Sequence, residues 1–245
     1  MKPNIDRQPE ETVQTSDNLV NAMDFIGEDQ TAQSFGVKDC AIIRRMGGVS
    51  SAINLRELRE RVSSCPIECL YYHFCETQIT PTFDDPEFRN DLALWVAHVL
   101  RDRVLAEKLG IINPYTYDDL EQLRERVVEI IDERLSELQY FPSVPMGEEF
   151  MFMRAVTVVF DTGIYLHKPE DLITRLPFMS HSSIYYHFLE ARRRTPDRVD
   201  DFTFWMQFLE AESESIINAL AQVDFYFLSL PDLKQVLIKT LRELK

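Results

Sequence analysis

Apolar positions recur every three to four residues in two long stretches. Over residues 88–109, Phe88, Leu92, Trp95, Val99, Leu105, Ala106 and Leu109 fall near one stripe. Over residues 117–138, Leu120, Leu123, Val127, Ile130, Ile131, Arg134 and Leu138 keep the same spacing. Both patterns predict helices with one face turned to a core. The run Ser229-Leu230-Pro231-Asp232 predicts a helix start, with serine as cap and proline in the first turn. "SDNLVNAMDFIG" (16–27) predicts a short amphipathic helix closed by Gly27. "FMFMRAVTVVFDTG" (150–163) is rich in Phe, Val and Thr. It predicts a strand meeting a turn at Asp161-Thr162-Gly163, with "GIYLH" completing a hairpin. "FGVKDCAIIRRMGG" (35–48) carries no decisive period and is compatible with strand or helix.

These segments occur twice in the same order. "LYYHFCE" (70–76) and "IYYHFLE" (184–190) lie 114 residues apart. "RNDLALW" (89–95) answers to "VDDFTFW" (199–205), and the two segments hold the only two tryptophans, Trp95 and Trp205. "LGIINPY" (109–115) answers to "LAQVDFY" (220–226), and "DLEQLRERVVEII" (119–131) to "DLKQVLIKTLREL" (232–244). Upstream, "INLRELRERV" (53–62) answers to "IYLHKPEDLITRL" (164–176). Five collinear matches indicate a tandem duplication, with a period too long for a solenoid unit. The expected organisation is an N-terminal acidic arm at 1–34, a first repeat at 35–138, a linker at 139–148 containing two prolines and a glycine, and a second repeat at 149–245. The expected fold class is α+β and mainly helical. Its two homologous halves carry short β-hairpins and pack about a pseudo-two-fold axis.

Charge narrows the partners. The 245 residues carry a formal net charge of −15, which repels phosphate backbones and anionic bilayers. Nucleic acid and membrane are therefore excluded as expected partners. The polar N-terminus lacks a signal-peptide pattern and no apolar run is long enough to span a bilayer, so a cytoplasmic protein is expected. Cys40, Cys65, Cys69 and Cys75 then read as free thiols.

The "YYHF" motif paired with Asn/Asp-Asp-x-x-x-Trp, in tandem, resembles a bacterial and archaeal family of domains of unknown function. "VKDCAIIRRMGG", "NLRELRERV", "VVFDTG" and "SSIYYHFLEARRR" look like further segments of it. The resemblance spans most of residues 35–245 and implies no particular activity.

Candidate chemistry clusters around the doubled motif. On a helix, Tyr186 and Glu190 share a face at i, i+4, and His187 neighbours Glu190 at i, i+3. Tyr72, His73 and Glu76 repeat the arrangement. If a two-fold axis passes nearby, His73, Glu76, His187 and Glu190 converge as a metal site or an acid–base pair. The structural alternative, His–Glu pairs stabilising helices and tyrosine hydroxyls satisfying buried groups, is the preferred one. Asn90-Asp91 and Asp200-Asp201 precede apolar helices and are expected to cap them, with a ligand-binding role for Asp91 and Asp201 as the minority reading, and Trp95 and Trp205 are expected to anchor cores. Arg192, Arg193 and Arg194 suit an anion, or equally a helix C-terminus and nearby aspartates. The spacing of Cys65, Cys69 and His73 lacks the paired ligands of a zinc site, so ordinary buried thiols are expected. No glycine-rich phosphate loop, nucleophile elbow or His-Glu-x-x-His helix is present. The leading expectation is a non-enzymatic binding or regulatory protein for a protein partner or a small anionic ligand. The rival is an enzyme acting on a sugar or phosphate between the halves. A third is a metal protein using His73, Glu76, His187 and Glu190.

Overall fold

The computed structural model describes residues 34–79, 87–209 and 213–244. The arm at 1–34, apart from Ser34, and its expected helix at 16–27 lie outside them. Two long strands, β1 (Phe35–Met46) and β2 (Met153–Leu166), pair antiparallel as a two-stranded ribbon. Among the described residues five α-helices follow β1. They are α1 (Leu55–Ser64), α2 (Ile67–Phe74), α3 (Asp91–Trp95), α4 (Arg103–Gly110) and α5 (Leu120–Glu137). Six follow β2. They are α6 (Pro169–Arg175), α7 (His181–Ile184), α8 (Ala191–Arg194), α9 (Asp201–Met206), α10 (Glu214–Ala221) and α11 (Leu230–Arg242). The chain is thus α+β and mainly helical.

The ribbon differs from the expected hairpins. Segment 35–48, left open between helix and strand, is a strand over most of its length. The Asp161-Thr162-Gly163 turn does not reverse the chain. It is a bulge within β2, where the register shifts between Val37, opposite Ile164, and Lys38, opposite Asp161. Gly163 takes φ +72°, a conformation glycine adopts without strain. The Thr162 hydroxyl donates to the Val37 carbonyl at 2.6 Å, and the Gly163 N–H donates to Asp161 Oδ1 at 2.8 Å. Local side-chain bonds therefore satisfy the bulge, and strand pairing wins over the turn. At mid-ribbon Ile42 lies opposite Thr157.

The helical stripe at 88–109 is also interrupted. After α3 the chain passes through a π-helical turn at Val96–Leu100, and Arg101 adopts a left-handed conformation (φ +57°). Asp102 then caps α4 by accepting from the Leu105 N–H at 3.1 Å. Arg134 of α5 holds the same carboxylate at 2.7 Å. A half-buried ion pair and a fresh cap at this point outcompete a continuous helix. The predicted helix at 117–138 appears as α5, and Ser229 caps α11 by accepting from the Asp232 N–H at 3.2 Å. Asn90 and Asp200 cap α3 and α9.

Two cores form, and the strands cross between them. One gathers residues of α1 to α5 around Leu58, Val62, Leu92, Leu105 and Ile131, together with Phe150 and Phe152 from the segment just before β2. The other gathers residues of α6 to α11 around Leu172, Phe188, Phe202, Leu220 and Leu237, together with Phe35, Val37 and Cys40 from β1. Each helical body is therefore completed by the strand that opens the other stretch of chain. Trp95 rests against Phe150 (ring centroids 5.6 Å apart) and Trp205 against Phe35 (5.5 Å). The four cysteines are buried free thiols.

Candidate functional site

The histidine of each Tyr-Tyr-His-Phe motif clamps a crossing strand. The Met153 N–H donates to His73 Nε2 at 3.0 Å, and the Lys38 N–H donates to His187 Nε2 at 2.8 Å. A backbone N–H can only donate, so Nε2 is the acceptor and the ring proton sits on Nδ1. That proton points to a carboxylate: Asp91 Oδ2 at 2.9 Å from His73, and Asp201 Oδ2 at 2.8 Å from His187. Both imidazoles are buried, and each aspartate fixes its tautomer much as a carboxylate bonded to a metal-bound histidine orients that ring.

The histidines do not converge. Met153 pairs with Met46 and Lys38 with Asp161, eight residues apart along β1. At about 3.3 Å per residue the two clamps stand about 26 Å apart. The glutamates face inward between them. Glu76 Oε1 accepts from the Thr157 hydroxyl at 2.7 Å, while its buried Oε2 has no partner. Glu190 accepts from the Tyr71 hydroxyl and, at 3.5 Å, from Tyr185. Burial holds both carboxyls above the usual carboxylate range; the Thr157 bond opposes this at Glu76 and the Tyr71 bond at Glu190. The described residues contain no group of three or more His, Cys, Asp or Glu placed to hold a metal ion. Histidine and glutamate of one motif thus serve different neighbours. In the second motif the helix widens into a π-helical turn at Tyr185–Glu190, which breaks the regular i, i+3 geometry.

The three arginines are absorbed within the fold. Arg192 lies between the rings of Phe188 (4.8 Å) and Phe225 (4.5 Å) and reaches Asp200 at 3.6 Å. Arg193 stands over Tyr71 at 5.3 Å. Arg194 lies 4.2 Å over the Tyr186 ring and donates to Asp201 Oδ2 and to the Tyr186 carbonyl, both at 2.9 Å. Burial disfavours the Arg194 cation, but the Asp201 charge and bond more than offset it and raise its pKa.

Around His73 the space is open instead. A cleft of about 1050 Å³ is lined by the polar and charged residues Arg44, Tyr72, His73, Asp91, His98, Arg101, Glu148 and Glu149. Trp95, Phe150, Met151 and Met153 supply the apolar side. Trp95 is fixed by its Nε1–H, which donates to the Glu148 carbonyl at 2.7 Å. Burial pushes the Tyr72 hydroxyl up, and the adjacent Arg44 acts against that shift. Asp91 is only 8% exposed, and its Oδ1 has no partner. Of the expected site residues, Tyr72, His73 and Asp91 meet here. Glu76 and Glu190 lie by the ribbon, and Tyr186, His187, Asp201, Arg192, Arg193 and Arg194 belong to the other helical body. Arg44, His98 and Arg101 were not expected. Arg44 comes from a strand whose class the pattern left open, and Arg101 from a break inside a predicted helix.

A model of the family of unknown function DUF5752 matches residues 32–242. The chain belongs to that family. No curated protein matches it. Among solved structures, the DUF5752 chain described here is similar to that described as the structure of OrfY from Thermoproteus tenax. The identity is 23% and the TM-score 0.70, covering 86% of this chain and 94% of the other. At that identity the likeness concerns the fold. No helix among the described residues of this DUF5752 member is long and apolar enough to cross a membrane.

Proposed function

We propose that this is a non-enzymatic binding protein that takes a small anionic ligand in the cleft beside His73. One observation carries the reading. The His73 imidazole, which lines the cleft, has both ring nitrogens committed to the protein, one to Asp91 and one to the Met153 N–H. A general base needs a free acceptor lone pair within reach of substrate, and His73 has none to offer. What the cleft does offer is two exposed guanidinium groups, Arg44 and Arg101, beside an aromatic wall. That combination suits recognition of a small ligand with one anionic group.

The duplication supports the same reading. The strand clamps, the caps at Asn90 and Asp200, and the Trp–Phe contacts recur in both helical bodies, and Ile42 faces Thr157, 115 positions on, at mid-ribbon. We read the chain as two copies of one unit, at 35–138 and 149–245, related by an approximate two-fold axis and exchanging their opening strands. The clamp is then the shared structural device, and the open cleft is where the copies have diverged.

The test is a thermal-shift titration with inorganic phosphate and with glucose 6-phosphate, on the wild type and on the Arg44→Ala and Arg101→Ala variants. A saturable rise in melting temperature that both substitutions weaken supports the proposal. No shift with either probe, or shifts that ignore both substitutions, overturn it. Turnover of glucose 6-phosphate would favour the enzyme instead.

A further inference from the structure

The ribbon leaves one face open at its middle. Ala41 pairs with Val158, Ile43 with Val156 and Arg45 with Arg154, so these six side chains share a face. The other face is taken up by the helical bodies: Cys40 enters the core of α6 to α11, and Thr157 bonds Glu76. On the open face Ile43, Val156, Val158 and the next residue in the alternation, Phe160, are between 42% and 60% exposed. Apolar side chains scattered singly over a surface are ordinary, but a contiguous stripe marks a contact surface. At one end of the stripe Arg45 and Arg154 stand directly opposite each other, and like charges so placed destabilise a sheet. Neither makes an ion pair among the described residues, and the Arg154 Nε is buried without a partner. The face therefore suits an occupant that is apolar along its length and acidic beyond one end.

We infer that the open face of the ribbon is a docking surface for the chain's own N-terminal arm, with the apolar segment 19–26 laid over Ile43, Val156 and Val158. The proposal is independent of the cleft beside His73. Residues 1–33 carry seven acidic and two basic residues, and within them "LVNAMDFI" (19–26) is the apolar stretch. The family match begins at residue 32, so nearly all of the arm lies outside the matched part. Its point of attachment suits the reach. Ile43 stands eight residues along β1 from Phe35, about 26 Å away, and residues 27–34 between the segment and β1 span up to about 28 Å when extended. An arm running back along β1 brings its apolar segment over the stripe, and the acidic residues before that segment, Glu10, Glu11 and Asp17, toward the Arg45–Arg154 end. Charge favours this occupant over a second copy of the chain. A second copy sets a net charge of −15 against another −15 and brings the same two arginines, whereas the arm brings the carboxylates that the pair lacks. Tethering adds to the advantage, because an attached segment binds at a high effective concentration.

The test is limited proteolysis of the full chain with chymotrypsin, following cleavage after Phe25 by mass spectrometry. Docking shields that bond, so its cleavage rate reports the fraction of chains with the arm released. The double variant Leu19→Asp with Val20→Asp should be cut about tenfold faster than the wild type, and so should Ile43→Asp with Val158→Asp. Arg45→Glu with Arg154→Glu should be cut about threefold faster. Sodium chloride at about 0.5 M should speed cleavage of the wild type and leave that arginine variant unchanged. Should the ribbon variants not fold, the Leu19 and Val20 variant, which alters no residue of the two cores, decides the matter. Equal cleavage of the wild type and the Leu19 and Val20 variant overturns the inference. So does protection that grows with protein concentration alongside a dimer in light scattering, because that outcome assigns the face to a second copy. Protection that is independent of concentration and is lost in both apolar variants supports it.

Discussion

Replacing His187 with alanine should destabilise the protein more than its size suggests. The ring is fully buried and holds the Lys38 N–H at 2.8 Å and Asp201 at 2.8 Å. Its loss orphans a strand N–H, at a cost of about 2 kcal/mol, and removes a hydrogen bond to a carboxylate, worth about 1.5 kcal/mol where Arg194 still holds Asp201. It also opens a cavity against Phe35 and Phe202, whose ring centroids lie 4.9 and 5.4 Å away, adding about 1 kcal/mol. The sum is about 4.5 kcal/mol, a large part of a typical folding free energy of about 5–15 kcal/mol. For a chain of this length that lowers the melting temperature by about 12 °C. Urea unfolding followed by circular dichroism measures the loss, and an unchanged slope with denaturant would assign it to the folded state. His187→Phe separates the contributions, because it fills the space but restores neither bond. It should keep about three quarters of the loss. A change below about 1 kcal/mol for His187→Ala would refute the clamp, because no reading in which a buried strand N–H loses its acceptor allows so small an effect.

Four further outcomes follow from the same contacts. Deleting residues 1–46 removes Phe35, Val37 and Cys40 from the core of α6 to α11, so hydrogen exchange should show lost protection over residues 172–241. Gly47→Ala sets a Cβ 2.6 Å from the Cys69 sulfur and 2.8 Å from the Phe152 carbonyl oxygen, and chemical denaturation should show a loss of about 2 kcal/mol. Arg192→Ala strips the buried Asp200 carboxylate of its cation and should cost about 3 kcal/mol by the same assay. Glu76 has a folded-state pKa raised by burial, so ionising it opposes folding; that penalty is absent below its ordinary value and complete once pH exceeds the folded one. Glu76→Gln should therefore gain stability relative to wild type at pH 7.5 and lose that advantage on titration to pH 4.5, whereas a pH-independent difference would contradict the assignment.

Local signals in the sequence were read well where one element decides the outcome. The caps at Asn90, Asp200 and Ser229 and the helix at 120–137 follow from side chains acting on their own backbone. What failed needed a partner far along the chain. Asp161-Thr162-Gly163 has the composition of a turn, and only pairing with Val37 and Lys38 keeps it in a strand. The segment from Phe35 to Met46 shows no clear period because one end enters a core while the other lies on a half-exposed ribbon. The doubled Tyr-Tyr-His-Phe motif drew attention to the right residues, and Asp91 and Asp201 proved to be their partners. Their purpose was not visible, because a histidine that accepts from a distant backbone N–H leaves no trace in local spacing. Arg44 and Arg101 escaped for the same reason: the cleft they line is assembled from a strand, a helix break and the approach to β2.

The crossing of the strands also sets a timetable for making the protein. As the chain leaves the ribosome, α1 to α5 emerge with their core still missing Phe150 and Phe152, and β1 waits for α6 to α11 before Phe35 and Val37 have anywhere to go. Neither body can be finished before the other has begun, so maturation is reciprocal and slow compared with two bead-like domains closing in turn. During that interval a bare β1 edge from one nascent chain can enter the unfinished body of another. Crowded synthesis would then yield interlocked dimers as the characteristic by-product.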